Sequence, residues 1–125
     1  MPLQCPLCFH STLKIADRIE LPPDSRSDEI ALQIVTCSQC GFAGIAVYEE
    51  SRRGALDSES VDHVAYRISP ADLQAIRAAI RKCPAPRDSR CGCASHQRLG
   101  RRDSSGRWNG LADVHLEGRF NLLLR

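Results

Sequence analysis

The chain has 125 residues, 42% of them hydrophobic and 26% charged, with a formal net charge of +2. This is ordinary globular composition for one small domain, and it excludes wholesale disorder. Its apolar runs, such as Ala43 to Tyr48 and Leu122 to Leu124, fall far short of the ~20 residues of a membrane span. The opening MPLQCPLC has neither the basic nor the apolar region of a secretory signal.

Leu13, Ile15, Ile19 and Leu21 occupy alternate positions, with Asp17 breaking the apolar side, and predict a first strand. Pro22-Pro23-Asp24-Ser25 is a loop signal. Ile30, Leu32 and Ile34 alternate again and run into Cys37; Phe42 to Glu49 follows as a third strand, with Gly44 at a bulge. The polar stretch 51–60, SRRGALDSES, reads as a loop, and Val64, Tyr66 and Ile68 as a fourth strand. Then the period changes. Ser69 can cap a helix, Pro70 suits its first position, and Asp72 can complete a capping box. Leu73, Ile76 and Ile80 form its apolar stripe, and Pro84 ends it near Cys83. Residues 84–110 are rich in Pro, Gly, Ser and Arg and cannot order themselves without a staple. Val114 to Leu124 has a weak alternation that predicts a returning strand.

Seven cysteines dominate the chemistry. Without a signal peptide the expected compartment is the reducing cytoplasm, where disulfides are disfavoured, and an odd count leaves one thiol over in any closed framework. The spacing resolves the oddness. Cys5-x-x-Cys8 and Cys37-x-x-Cys40 make one set of four, and Cys83, Cys91 and Cys93 with His96 make a second. In a CxxC turn both thiolates face one ion, and two such turns complete a tetrahedral zinc site. Pro6 presets its turn and Gly41 relieves strain after the second.

On these residues the chain resembles the zinc ribbons, over about residues 1–50. The resemblance implies two metal knuckles, each at the end of a β-hairpin. Phe9 follows Cys8 where a glycine is common, and this is the departure from the pattern. The 28 residues between Cys8 and Cys37 also resemble a rubredoxin, which holds redox iron in the same cage, although the chain has few aromatics for a rubredoxin core. A thioredoxin-like redox motif would open a helix, and here both motifs lie in a β pattern.

The second set, Cys83-x7-Cys91-x-Cys93-x2-His96, has zinc-type ligands at a spacing of no standard finger. Cys83 also continues the helix stripe, so its alternative is a buried core cysteine. His10 reads as a loop histidine, and His63 and His115 as structural ones. No GxSxG, P-loop or HExxH motif is present. Adjacent strand residues such as Asp62 and His63 point to opposite faces and make a poor dyad. The chain therefore reads as non-enzymatic.

Charge divides unevenly: residues 1–75 carry 6 basic and 11 acidic side chains, and residues 76–125 carry 11 and 4. Arg98, Arg101, Arg102 and Arg107, with Arg87 and Arg90 before them, cluster around Trp108. Arginines neutralise phosphates and an aromatic stacks on an unpaired base; the alternative is a solvated basic surface with Trp108 plugging a small core. The expected fold is α+β: a zinc ribbon of about three antiparallel strands (1–50), a strand and helix packed on it (51–82), and a metal-stapled, loop-rich segment (83–125). The expected function is a zinc protein, with two zincs, that binds nucleic acid. A protein–protein adapter and a rubredoxin-like iron electron carrier are the alternatives.

Overall fold

The structure, a computed structural model, describes residues 3–51 and 60–122. Strands β1 (Leu13–Leu21), β2 (Glu29–Cys37), β3 (Ala43–Ser51), β4 (Ser60–Arg67) and β5 (Gly118–Asn121) form one antiparallel sheet in chain order. Helices α1 (Pro70–Lys82) and α2 (Ala94–Leu99) stand between β4 and β5. The α+β class holds, but the sheet has five strands and a second, short helix appears. Most of the expected 51–60 loop lies outside the described residues, as does the chain end after Leu122.

One irregularity sets the architecture of β1. The register steps from Ile15 opposite Val35 to Asp17 opposite Ile34, so β1 has a bulge there. A bulge inserts one residue and reverses which face the following side chains occupy. Leu13 and Ile15 therefore share the face of Val35 and Cys37, whereas Asp17, Ile19 and Leu21 share the face of Ile34. This explains the polar interruption in the alternation. Asp17 meets α1, with Oδ2 2.9 Å from Arg77 Nε and Oδ1 3.0 Å from Arg81 Nε. The bulge expected at Gly44 is not there: Gly44 pairs regularly with Val35. Its glycine serves close packing instead, since a Cβ would lie 2.5 Å from the Tyr66 carbonyl oxygen.

Two apolar clusters lie on opposite faces of the sheet. The larger joins Ile19, Leu21, Ile30, Leu32, Ile34 and Ile45 to Ile76 and Ile80 of α1 and to Leu99 of α2. The smaller joins Leu3, Cys5, Leu13, Val35, Cys37 and Phe42 to Leu122. Thus β2 is buried on both faces, and apolar residues occupy both of them: Ile30, Leu32 and Ile34 on one, Ala31, Val35 and Cys37 on the other. Helix α1 starts as its sequence requires: the Ser69 side chain accepts from the Asp72 N–H at 3.1 Å, and Pro70 opens the first turn.

The C-terminal segment is tied to the β1–β2 loop by a buried carboxylate. Asp24 accepts from the backbone N–H groups of Arg26, Ser27 and Trp108 at 2.8, 2.6 and 2.7 Å. The Ser25 N–H donates to the Gly106 carbonyl at 3.0 Å, and the Arg102 guanidinium to the Pro23 carbonyl. The outer edge of β1 is also engaged. Leu3 bridges Leu13 at one end, and the Glu20 N–H donates to the Pro86 carbonyl at 2.7 Å at the other. Such cover protects an edge strand from pairing with another chain.

Candidate metal centres

The two CxxC turns fold alike. In the first, the Phe9 N–H donates to the Cys5 carbonyl at 3.0 Å; in the second, the Gly41 N–H donates to the Cys37 carbonyl at 3.1 Å. The residue after each second cysteine is left-handed: Phe9 has φ 64° and Gly41 φ 79°. Glycine adopts this conformation freely, whereas a side chain there costs about 1–2 kcal/mol. The departure noted at Phe9 is therefore a strained residue within an intact knuckle.

These turns bring Cys5, Cys8, Cys37 and Cys40 together, with all four sulfurs within 4.8 Å of one another. Cys5 Sγ lies 3.6 Å from Cys40 Sγ and Cys8 Sγ 3.7 Å from Cys37 Sγ. A tetrahedron with metal–sulfur bonds of ~2.3 Å has edges of ~3.8 Å, so the cage fits one ion of zinc size. Amides of Leu7 and Gln39 point at Cys5 Sγ and Cys37 Sγ from 3.5 and 3.4 Å. The Thr12 hydroxyl lies 3.0 Å from Cys37 Sγ and donates to it when it is ionised. That hydroxyl is the main reason Cys37 is lowered to about 6; burial opposes it, and the Cys40 and Gln39 amides assist. Cys40 goes the other way. The Phe42 amide favours its thiolate, but burial and the neighbouring thiols outweigh this and push it up to about 12. Thiol ligands must be deprotonated to hold a metal, so an ion entering this cage would release protons.

The second set also converges. Cys83, Cys91, Cys93 and His96 place their ligand atoms within 4.8 Å of one another. Cys83 Sγ is 3.8 Å from Cys91 Sγ, and His96 Nδ1 is 3.2 and 3.4 Å from Cys83 Sγ and Cys93 Sγ. Cys83 is both things the sequence allowed: it is buried against the α1 core, and its sulfur lines the cage. His96 Nε2 is 2.8 Å from the Glu20 carbonyl oxygen. A carbonyl only accepts, so Nε2 carries the proton and Nδ1 presents its lone pair to the cage. An outer hydrogen bond of this kind is what orients a histidine that ligates a metal. Burial raises Cys83 to about 11, despite the Ala85 amide, while chiefly the His96 backbone N–H lowers Cys93 to about 6.

Sequence periodicity missed α2, a six-residue helix in the stretch expected to be irregular. Cys93 caps it, with Sγ accepting from the His96 N–H at 3.4 Å. The Cys93-x-x-His96 spacing was the available signal, because a cap places its third following residue beside its own side chain. Sequence reasoning also passed over Asp24 and Glu20, because neither role is visible without the fold.

The remaining predicted residues disperse. Arg101 pairs with Asp113 at 2.9 Å and Arg98 with the same carboxylate at 3.9 Å. Arg102 binds the Pro23 carbonyl, and Arg107 Nε lies 3.6 Å from Asp24. The Trp108 indole N–H donates to the Leu99 carbonyl at 2.7 Å, and the ring packs on the larger core. His10 and His115 are exposed. His63 sits on the face opposite Asp62, with Nε2 2.8 Å from Gln33 Oε1. No helix among the described residues is long and apolar enough to cross a membrane. Comparison with protein-family models, curated proteins and solved structures gives no match for this chain.

Proposed function

We propose that this is a non-enzymatic protein of zinc-ribbon type that carries two structural zinc ions and binds single-stranded nucleic acid. The observation that carries the zinc reading is the pair of four-ligand cages. Four thiolates, or three thiolates and an imidazole, suit zinc, and a filled tetrahedron leaves no position for a reactive water. Thiolate ligands must stay reduced, which suits a cytoplasmic setting. The nucleic-acid reading is supported by the basic C-terminal half and by the arginines that keep no ion pair among the described residues, including Arg26, Arg87, Arg90 and Arg119. Elemental analysis should give two zinc ions per chain. Binding to a single-stranded oligonucleotide should fall steeply with added salt.

One observation favours the adapter alternative. Phe9 is 69% exposed and Leu7 42% exposed on the first knuckle, and a strained, exposed aromatic suits a protein contact. Salt-insensitive partner binding that is lost in Phe9→Ser would favour it. Iron in the first cage would make a rubredoxin-like carrier, and visible absorption of the purified protein would reveal it.

A further inference from the structure

A cleft of about 580 Å³ lies on the α1 face of the sheet, between strands β3–β5 and the 107–116 segment. Its volume falls within the range of small-ligand sites. At one end of its floor Glu49 stands directly opposite Asp62 on the neighbouring strand. Like charges so placed destabilise a sheet, and neither carboxylate has an ion-pair partner among the described residues. Burial pushes Glu49 up, and the nearby carboxylates of Asp24 and Asp62 reinforce this against Arg107 and Arg26. The fold gains nothing visible from this pair. At the other end Arg119 stands opposite Tyr66, four positions along β4 from Asp62, or ~13 Å at strand rise. The lining also includes the apolar Val47, Val64 and Leu111 and the polar Arg26 and Asn109, with the fixed indole of Trp108 in the wall. Arg107, also in the wall, holds the sole buried side-chain nitrogen among the described residues without a hydrogen-bond partner.

We propose that this cleft takes one guanine nucleotide of a single strand, with its base edge at Glu49 and its phosphate at Arg119. The proposal rests on the nucleic-acid reading above. Guanine presents two adjacent donors, N1–H and the N2 amino group, which a single carboxylate accepts together. Its flat body suits the apolar side chains beside an indole, and its phosphate suits the Arg119 guanidinium, which has no ion-pair partner among the described residues. Uracil offers a single donor there, and adenine presents an acceptor beside its amino group, so the carboxylate discriminates against both.

The test uses the zinc-loaded full chain, titrated with an oligouridylate and with the same oligomer carrying one central guanosine, followed by Trp108 fluorescence. The guanosine oligomer should bind about tenfold more tightly, and Glu49→Gln should abolish that preference without weakening the oligouridylate. Arg119→Ala should weaken the guanosine oligomer several-fold, with zinc content unchanged in both variants. If both oligomers bind equally to the wild type, with normal salt dependence, the cleft assignment is overturned and the nucleic-acid reading survives. If neither oligomer binds at low salt, both are overturned.

Discussion

Removing the Asp24 carboxylate should detach the C-terminal segment from the sheet. The side chain is fully buried and accepts three backbone N–H groups, of which the Arg26 donor lies in an exposed residue that water can serve. Ser27 is buried and Trp108 is half-buried. A hydrogen bond to a charged acceptor contributes ~1.5–3 kcal/mol, and a buried donor left unmade costs a similar amount. Asp24→Ala should therefore cost about 3–5 kcal/mol, a large share of the ~5–15 kcal/mol of a typical domain. Asp24→Asn keeps one acceptor oxygen but sets an amide nitrogen against one of the donors, so about 2 kcal/mol is expected. Burial by itself would raise Asp24, but the N–H groups of Ser27, Trp108 and Arg26 and the Arg107 charge outweigh it, and the carboxyl lies below its ordinary value of 3.8. A depressed folded value means the contribution is present above the unfolded pKa and is lost as pH falls through the folded one. Urea unfolding of zinc-loaded protein, followed by the single Trp108, reads this directly. The gap between wild type and Asp24→Asn should be full at pH 7 and shrink below about pH 4. Any bound metal would be lost from both proteins in acid, so the gap between them is the quantity that matters. An Asp24→Asn protein as stable as wild type at pH 7, with unchanged amide exchange at Trp108, would refute the reasoning.

Further outcomes follow from the metal cages. Cys37→Ser should lower zinc from two to one per chain by elemental analysis and loosen the start of β1, where Leu13 pairs with Cys37. The Cys91→Ser, Cys93→Ser double variant should likewise hold one zinc, but its effect should reach beyond residues 83–110. His96 and Pro86 both hold Glu20, so faster amide exchange at Glu20 is expected, and unchanged exchange would separate that site from the sheet. Phe9→Gly should relieve the left-handed strain and raise stability by about 1 kcal/mol in urea unfolding, while Gly41→Ala should lower it by a similar amount. Thr12→Val should weaken zinc retention against a chelator without changing the count of two, since it removes only the hydroxyl beside Cys37.

Much of this protein is legible in its sequence because the signals are local. A CxxC turn fixes its own sulfur geometry, and Ser69-Pro70 with Asp72 fixes a helix start. The alternation of Ile30, Leu32 and Ile34 fixes a strand whatever it packs against. The grouping of all seven cysteines with His96 into two sets of four also follows from sequence position, because each set is confined to one or two short windows. Tertiary structure alone decided what depends on distant partners. Asp17 looked like a flaw in β1 until the bulge turned it toward Arg77 and Arg81. Arg98 and Arg101 looked like free phosphate ligands until Asp113 appeared beside them. Asp24 looked like a loop residue, and its role exists only because Trp108, 84 residues later, donates to it. Likewise, the sequence places the two metal sets apart, but folding places them at opposite ends of β1, through Cys37 at Leu13 and His96 at Glu20. Ligand spacing is written along the chain, whereas the partner of a buried charge is set by which segments the sheet brings into contact.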